Sequence, residues 1–403
     1  MMPKFAKRWN NGNIQEASVS LMNLVNAMSD PTLISLGGGS PAQQALPLEA
    51  IREIAADVFT KEKRGVEAFS YGPAAGSPTL RKVVTEQLLA PRGVKASLDN
   101  LIITTGSLEV MNLMCQAFIE PGDVVFVESP TFVQSALIFQ LFGAICIPCT
   151  MDDQGLIMEE VEAKMKEYKP KLLYTIPTFQ NPMGVTMSLE RRKKLAELGA
   201  KYDVLILEDD PYYNLRYSGE ELPPIKSFDT TDHVVLAGSF SKIFSPGSRL
   251  GYAVTSREIA ARLADAKMST NTHSPAVSQV LASEFFLRGY FPEHLARIRD
   301  FYHVRRDALL AALDKYMPEG TTHTNPDGGM FVWVTFPKEI NTTELLAESV
   351  KTIKVAFVAG NVFYVEPGKG QSCMRLSFTS ISPEAITEAM RQLGELVTAK
   401  IKK

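Results

Sequence analysis

The residues best suited to chemistry surround Lys242, which ends a Ser-Phe-Ser-Lys stretch. The apolar run at 233–238 predicts a short buried strand, so Lys242 lies on the loop that leaves this strand. An amine at such an edge can form a Schiff base with an aldehyde, while Ser239, Ser241 and Arg249 bind a phosphate. A solvated surface lysine is the common alternative. The residues at other strand ends decide between the two.

Two of those ends suit a phosphorylated pyridine aldehyde. Gly106 and Ser107 open a predicted helix, whose free N–H groups and dipole favour a phosphate. Asp209 follows a predicted strand at 204–207, where its carboxylate can keep a pyridine nitrogen protonated, and Tyr212 can donate a hydrogen bond to the ring oxygen. Taken singly, an ordinary serine N-cap and an Asp-Pro turn are the alternatives.

Two further ends supply an amide and an aromatic ring. Asn181 follows a predicted strand at 172–176, where its side chain would meet the ring oxygen or a substrate carboxylate. Phe132 follows a strand at 124–127 and offers a face that can stack on a heteroaromatic ring. An Asn-Pro turn and a core phenylalanine are the alternatives. The joint occurrence of these residues favours the cofactor site.

Between about 100 and 255, apolar strand-like runs alternate with helical patterns. This order predicts an α/β fold with a mainly parallel sheet covered on both faces. The predicted strands cover 101–104, 124–127, 144–147, 172–176, 204–207, 234–237 and 250–254, and the predicted helices cover 107–119, 132–142, 159–169 and 189–202.

After residue 275 the pattern changes to long helices with a few strands between them. It predicts helices at 276–287, 292–316 and 383–399 and strands at 330–336, 355–357 and 374–378. We therefore expect three parts. They are an N-terminal arm at 1–47, a large domain at 48–290 and a small α+β domain at 291–403.

Composition is that of an ordinary soluble protein, with 403 residues, 45% hydrophobic and 22% charged residues, and a net charge of −3. This charge argues against nucleic acid and membranes as partners. The five histidines lack metal-binding spacing, so no metal site is expected. No apolar stretch resembles a signal peptide or a membrane span, and we expect a cytoplasmic protein.

The motifs, taken in order, resemble those of the class I/II aminotransferases, pyridoxal-phosphate enzymes of fold type I. The matching stretches are S-F-S-K-x-F-x-P-G-x-R-x-G, E-D-D-P-Y, N-P-x-G and M-R-L-S-F. The resemblance is strongest to the α-aminoadipate, kynurenine and aromatic aminotransferase branch. It implies a large domain with a mainly parallel mixed sheet between helices, a smaller α+β domain, and pyridoxal 5'-phosphate as cofactor. The implied reaction moves the amino group of an α-amino acid to a 2-oxo acid by a ping-pong mechanism.

The resemblance also implies roles for single residues. Lys242 would hold the cofactor aldehyde and carry the proton, Asp209 would pair with the pyridine nitrogen, and Asn181 and Tyr212 would bind the ring oxygen. Phe132 would stack on the ring. The phosphate would be held by Gly106, Ser107, Leu108, Ser239, Ser241 and Arg249.

For the substrate, the resemblance assigns the α-carboxylate to the planar fork of Arg375, with Gly38 and Gly39 closing over it. Tyr71 matches a tyrosine that reaches the phosphate of the other subunit, which implies a homodimer in which the arm at 1–47 joins the small domain and the dimer interface. Met22 stands roughly where aminoadipate-type relatives have an arginine for an acidic side chain. This difference argues for apolar, aromatic or mixed donors.

Two departures concern the cofactor site. Leu108 replaces a glutamine common in this branch, so one phosphate contact becomes a backbone N–H, and Phe132 replaces a tyrosine, which keeps stacking and loses a hydroxyl.

Two other functions stay open. One is a lyase or synthase on the same scaffold, for example a β-elimination enzyme. The other is a regulator that uses an aminotransferase-like domain to sense a cofactor or amino acid.

Overall fold

Fourteen strands are present in the part of the chain that the computed structural model describes, which comprises residues 4, 6–10, 32–60 and 62–401. In chain order they are β1 (Ile34–Ser35), β2 (Leu101–Thr104), β3 (Val124–Ser129), β4 (Ile145–Asp152), β5 (Gly155–Leu156), β6 (Leu172–Thr175), β7 (Leu205–Asp209), β8 (Val234–Ser239), β9 (Gly251–Val254), β10 (Thr322–His323), β11 (Phe331–Thr335), β12 (Val355–Ala356), β13 (Val358–Ala359) and β14 (Cys373–Ser377).

The α-helices of the same residues cover the sheets and connect their strands. They are α1 (Leu48–Val58), α2 (Glu62–Phe69), α3 (Pro78–Val83), α4 (Ser107–Phe118), α5 (Val133–Leu141), α6 (Met158–Tyr168), α7 (Leu189–Tyr202), α8 (Arg257–Thr270), α9 (Ala276–Leu287), α10 (Tyr290–Tyr316), α11 (Thr342–Thr352) and α12 (Pro383–Ile401). A π-helical segment, Val84–Leu89, directly follows α3.

The main sheet has eight strands in the order β2-β9-β8-β7-β6-β3-β4-β5. Strands β8, β7, β6, β3 and β4 are parallel to one another, whereas β9 is antiparallel to both β2 and β8, and β5 is antiparallel to β4. Because parallel strands end at a common edge, the residues that follow them converge there. The predicted mainly parallel, mixed sheet is confirmed.

Both faces of this sheet are packed. Leu172 and Leu207 belong to one hydrophobic cluster, and their chain neighbours Leu173 and Ile206 belong to another. Successive strand side chains point to opposite faces, so the two clusters lie on the two sides of the sheet. This explains why the parallel strands are continuous apolar runs rather than alternating ones.

A second, antiparallel sheet has the order β10-β11-β14-β13, and β1 pairs in parallel with β12. The register places Arg375 of β14 opposite Trp333 on one side and Val358 on the other. One hydrophobic cluster contains residues of both sheets, among them Val125 of β3 and Val332 of β11. The domain boundaries near 47 and 290 stay predictions.

Several predicted elements coincide with the observed ones. Strand 101–104 and helices 189–202 and 276–287 have the predicted bounds. Helices α1 to α3 were not predicted, since their short amphipathic patterns follow no strand. Of the predicted arm at 1–47, only residues 4, 6–10 and 32–47 are among the described residues.

Candidate active site

Lys242 lies just beyond β8, on the loop where the sequence places it. Its Nζ donates a hydrogen bond of 2.6 Å to the carbonyl oxygen of Gly39. The pKa of this amine is lowered to about 8, chiefly by burial and then by the positive charges of Arg375 and Arg249. A substantial fraction of Lys242 is therefore neutral near pH 7.5, in the form that acts as nucleophile or base.

Asp209 ends β7 and is buried. The hydroxyl of Tyr174, on the adjacent strand β6, donates a hydrogen bond of 2.9 Å to Oδ2 of Asp209. The other oxygen, Oδ1, is buried and has no hydrogen-bond partner among the described residues. Burial raises the pKa of Asp209 to about 7, although the hydrogen bond from Tyr174 opposes the rise. Oδ1 is thus free to accept a hydrogen bond from a cationic N–H group.

Arg375 is buried on β14. Its Nη1 donates to Oδ1 of Asn181 at 2.8 Å, and its Nη2 donates to the carbonyl oxygen of Gly37 at 2.7 Å. The guanidinium carbon lies 4.1 Å from the ring centre of Phe331 and 4.9 Å from that of Phe363. Burial lowers the pKa of Arg375 to about 10. Its two hydrogen-bond acceptors are neutral, so a carboxylate can compete for this cation.

The main chain at 37–39 connects the amine and the guanidinium. The carbonyl of Gly37 accepts from Arg375, and that of Gly39 accepts from Lys242. This segment is itself anchored, because Leu36 donates its N–H to Ala356 and accepts the N–H of Ser377. Lys242 from the main sheet and Arg375 from the second sheet are therefore held on one short segment.

A second group of predicted residues meets at the start of α4. The register aligns Thr104 of β2, Gly251 of β9 and Ser239 of β8 across three neighbouring strands. Gly106 precedes α4 with φ +79°, and a Cβ atom built there would lie 2.7 Å from Nη2 of Arg249. The guanidinium and the helix N-terminus are thus adjacent, which is the arrangement that favours a phosphate.

The hydroxyl of Ser239 also accepts the N–H of Ser241 at 3.1 Å, which orders the turn before Lys242. Leu108, in the first turn of α4, is partly buried and packs against the main core. The structure thus brings the predicted phosphate-binding residues to one edge of the sheet.

The remaining predicted residues are placed as follows. Phe132 directly precedes α5, and Gly38 is buried between the two carbonyls described above. Tyr212 is buried with its ring edge against Phe331, at a centroid distance of 5.9 Å. Tyr71 is 92% exposed. Met22 lies outside the described residues.

Sequence reasoning missed a polar network behind the phosphate-binding group. Lys267 is buried, and its Nζ donates to Glu109 at 2.6 Å and to Asn271 at 3.0 Å. Glu109 also accepts the N–H of Thr105 at 2.6 Å, and Asn271 donates to the same carboxylate at 2.5 Å. The network fixes the turn that carries Gly106. A glutamate three positions into α4 was a usable signal for it.

No group of three or more His, Cys, Asp or Glu side chains in the described ranges is arranged to hold a metal ion. No helix in them is long and apolar enough to cross a membrane.

Comparison with known families decides which group of proteins shares this arrangement. The model of the family "Aminotransferase class I and II" matches residues 31–393. The chain belongs to this family. A relative, aromatic-amino-acid aminotransferase 1 of Thermococcus litoralis, is 38% identical over 95% of this chain and 92% of its own length.

Three other proteins show the range of the relatives. The 2-aminoadipate transaminase of Thermus thermophilus is 33% identical over 95% of this chain and 94% of its own. A helix-turn-helix-type transcriptional regulator of Bacillus subtilis is 32% identical over 92% of this chain and 75% of its own. The solved structure of Pyrococcus horikoshii kynurenine aminotransferase has a TM-score of 0.91 and 38% identity, covering 99% of this chain and 98% of that one.

The fold is therefore that of the fold type I aminotransferases, and the protein is an aminotransferase with pyridoxal phosphate as its cofactor. The predictions of family, fold, enzyme class and cofactor are confirmed. The individual roles of the site residues, the donor and the assembly stay predictions.

Proposed function

We propose that this aminotransferase uses Lys242, Asp209 and Arg375 to move the amino group of an α-amino acid to a 2-oxo acid. One observation carries the proposal. The carbonyl of Gly39 accepts a hydrogen bond from the Lys242 amine, whose pKa is lowered. The carbonyl of Gly37, two residues earlier, accepts one from the buried guanidinium of Arg375, which has no acidic partner among the described residues. An α-amino acid bears its amino group and its carboxylate on one carbon atom, so it presents both groups to a site that combines an amine with a carboxylate-binding cation. The site thus matches the constant part of the substrate.

The residues fit pyridoxal phosphate at both of its ends. At the ring end, the partnerless Oδ1 of Asp209 would pair with the pyridine nitrogen. The other ring residues of the proposal are Asn181 and Tyr212 at the ring oxygen and Phe132 at the ring face. At the phosphate end stand Gly106, Ser107, Leu108, Ser239, Ser241 and Arg249. When bound, the cofactor supplies an electron sink that makes the α-hydrogen of the substrate acidic.

Lys242 would move the proton. Its neutral Nζ would take the α-hydrogen as a proton. The resulting ammonium would then donate this proton on the cofactor side of the amino nitrogen. Burial favours this role because it lowers the pKa of the amine. Asp209, whose Oδ2 accepts the hydroxyl of Tyr174, would hold the ring nitrogen through its other oxygen and favour the protonated form of that nitrogen. We place Tyr212 in the same catalytic group, beside the ring oxygen.

Arg375 would orient the substrate. A carboxylate accepts two charge-assisted hydrogen bonds from the planar fork, which are stronger than those to the neutral oxygens of Asn181 and Gly37. Gly38 and Gly39 would close over this carboxylate. The rings of Phe331 and Phe363 limit how far the guanidinium can move.

The donor we propose is an apolar, aromatic or aminoadipate-like α-amino acid, with 2-oxoglutarate or pyruvate as acceptor. The named substrates of the relatives support this range, since they include aromatic amino acids, 2-aminoadipate and kynurenine. Met22 would contact the donor side chain. An M22R variant is therefore expected to gain activity on 2-aminoadipate relative to phenylalanine, and an unchanged ratio would remove Met22 from the site.

The test of the reaction uses the protein loaded with pyridoxal phosphate. Each donor of a panel is mixed with it, and the change in cofactor absorbance and the 2-oxo acid formed are measured. Stoichiometric 2-oxo acid is expected from wild type, no turnover from K242A, and normal turnover from K164A, whose lysine pairs with Glu160 on α6. Turnover by K242A would refute the role of Lys242.

Two other functions are separated by their products. A lyase releases pyruvate from β-substituted amino acids without an oxo-acid acceptor. A regulator shifts a DNA probe at physiological salt, a function of interest because a transcriptional regulator is among the relatives. Either result without transamination would replace the proposal.

We further propose a cytoplasmic homodimer in which Tyr71 completes the neighbouring site. Tyr71 is 92% exposed and Phe69 is 73% exposed, which is unusual for aromatic side chains and typical of an interface. Mixing K242A with Y71A tests this. A mixed dimer has one intact site, so activity is expected to return, and no recovery in a verified mixed dimer would refute the shared site.

A further inference from the structure

The loop at 177–184, here called the Asn181 loop, has to hold Asn181 firmly because this side chain accepts the Nη1 hydrogen bond of Arg375. The loop follows β6, and its main chain closes on itself: Gly184 donates to the carbonyl of Gln180 at 2.6 Å, and Gln180 donates to that of Val185 at 2.8 Å. Gln180, directly before Asn181, is fully buried. What fixes the Gln180 side chain therefore also fixes Asn181.

That side chain is bound on three sides. Its Nε2 donates to Oε2 of Glu128 at 2.8 Å and to the carbonyl of Pro130 at 3.0 Å, while its Oε1 accepts the N–H of Met183 at 2.8 Å. Two acceptors thus face the amide nitrogen of Gln180, and one donor faces its amide oxygen. Only one orientation of the amide satisfies all three contacts.

Glu128, on β3, supplies the acceptor that sets this orientation. It is 1% exposed, and its Oε1 accepts the hydroxyl of Thr175 at 2.5 Å and the N–H of Ile176 at 2.9 Å. Burial raises the pKa of Glu128, while the hydrogen bonds that it accepts favour the ionised form and oppose the rise. A buried carboxyl group without an ion pair in the described part of the chain is costly. The presence of Glu128 at this position calls for a reason beyond packing.

We infer that Glu128 is a positioning residue for substrate binding: through Gln180 it orients Asn181, and thereby the guanidinium that receives the substrate carboxylate. The inference rests on the proposed function, since it takes Arg375 as the carboxylate site. Glu128 acts through Gln180 and Asn181 on the group that binds the carboxylate. Its removal should therefore raise KM more than it lowers kcat.

The test compares E128Q with a swapped pair. In E128Q the new amide meets the Nε2 of Gln180 donor against donor, so Gln180 loses its orientation. In E128Q/Q180E the carboxylate stands on the other side of the same contact and still accepts the N–H of Met183. The probe is 3-phenylpropionate, an aromatic carboxylate without an amino group, titrated calorimetrically into the protein loaded with pyridoxal phosphate.

The expected result for E128Q is a dissociation constant for the probe and a donor KM about tenfold higher, with kcat changed less than about twofold. The swapped pair should recover part of the loss, because the contact between residues 128 and 180 is restored while the new carboxylate loses the hydrogen bond to the Pro130 carbonyl. E208Q is the matched control, because Glu208 is equally buried but accepts its hydrogen bonds from Ile225 and Lys226 and none from the Asn181 loop in the described part of the chain. It should leave both constants unchanged.

An unchanged dissociation constant in E128Q, equal losses in E128Q and E208Q, or no recovery in the swapped pair would overturn the inference. Where E128Q fails to fold by thermal melting, Q180E compared with the swapped pair makes the same comparison. Failure of the proposed function gives a different result. In that case wild type neither transaminates nor binds the probe.

Discussion

The lowered pKa of Lys242 leads to a prediction about how the protein takes up its cofactor. Only the neutral amine attacks the aldehyde of pyridoxal phosphate. With a pKa of about 8, about a quarter of Lys242 is neutral at pH 7.5, whereas a lysine at the usual 10.5 would be about 0.1% neutral. Covalent uptake by cofactor-free protein should thus accelerate with rising pH and level off above a midpoint near 8.

The perturbation is R375M, which removes the positive charge that, after burial, lowers the pKa of Lys242 most. The sign follows from electrostatics: without that charge the ammonium form is less disfavoured, so the pKa of Lys242 rises. Burial remains, so only part of the shift from 10.5 is lost. We expect the midpoint to move up by about one pH unit, which lowers the uptake rate at pH 7.5 several-fold.

Stopped-flow absorbance of the cofactor, at saturating pyridoxal phosphate and from pH 6.5 to 10, measures the midpoint. R375K is the matched control because it keeps a positive charge at the same position, and its midpoint should stay within about 0.3 of the wild-type value. A wild-type midpoint near 10 would refute the lowered pKa. An equal shift in R375K and R375M would show that packing, and not charge, controls Lys242.

Three further substitutions probe the site's support. Y174F removes the hydroxyl donor to Asp209, a hydrogen bond to a charged group, and should lower kcat/KM about tenfold; unaltered kinetics would contradict that support. G106A places a Cβ 2.7 Å from a guanidinium nitrogen at φ +79°, so the dissociation constant of pyridoxal phosphate should rise about tenfold, and an unchanged value would argue against a phosphate there. K267M leaves the Glu109 carboxylate buried without its cation and should cost about 3 kcal/mol in urea unfolding; a loss under about 1 kcal/mol would mean that the pair is not structural.

Much of the fold could be predicted because its strands are uninterrupted apolar runs with polar residues directly after them. Asp209, Asn181 and Lys242 each follow such a run, and parallel strands bring their carboxyl ends to one edge. The prediction needed only the order of elements. No knowledge of register entered it, and the specific roles came from the family resemblance.

Contacts that depend on register were out of reach. Tyr174 reaches Asp209 only because β6 and β7 pair Tyr174 with Leu207, so the tyrosine and the carboxylate two residues further share one face. Nothing in a local window distinguishes Tyr174 from a core tyrosine. Lys267 and Glu109 are 158 residues apart and meet only when α8 packs on α4.

The segment at 37–39 shows why the site's two halves had to be found separately. Lys242 belongs to the loop after a parallel strand, whereas Arg375 lies on an antiparallel strand of the other sheet. Arg375 donates to the main-chain carbonyl of Gly37 and Lys242 to that of Gly39, and any residue type would supply such a carbonyl. Side-chain patterns carry no information about such a contact. The distance between the amine and the guanidinium is therefore set by the pairing of β1 with β12 and by the N–H of Ser377, so a change in that pairing should alter substrate binding without touching a side chain of the site.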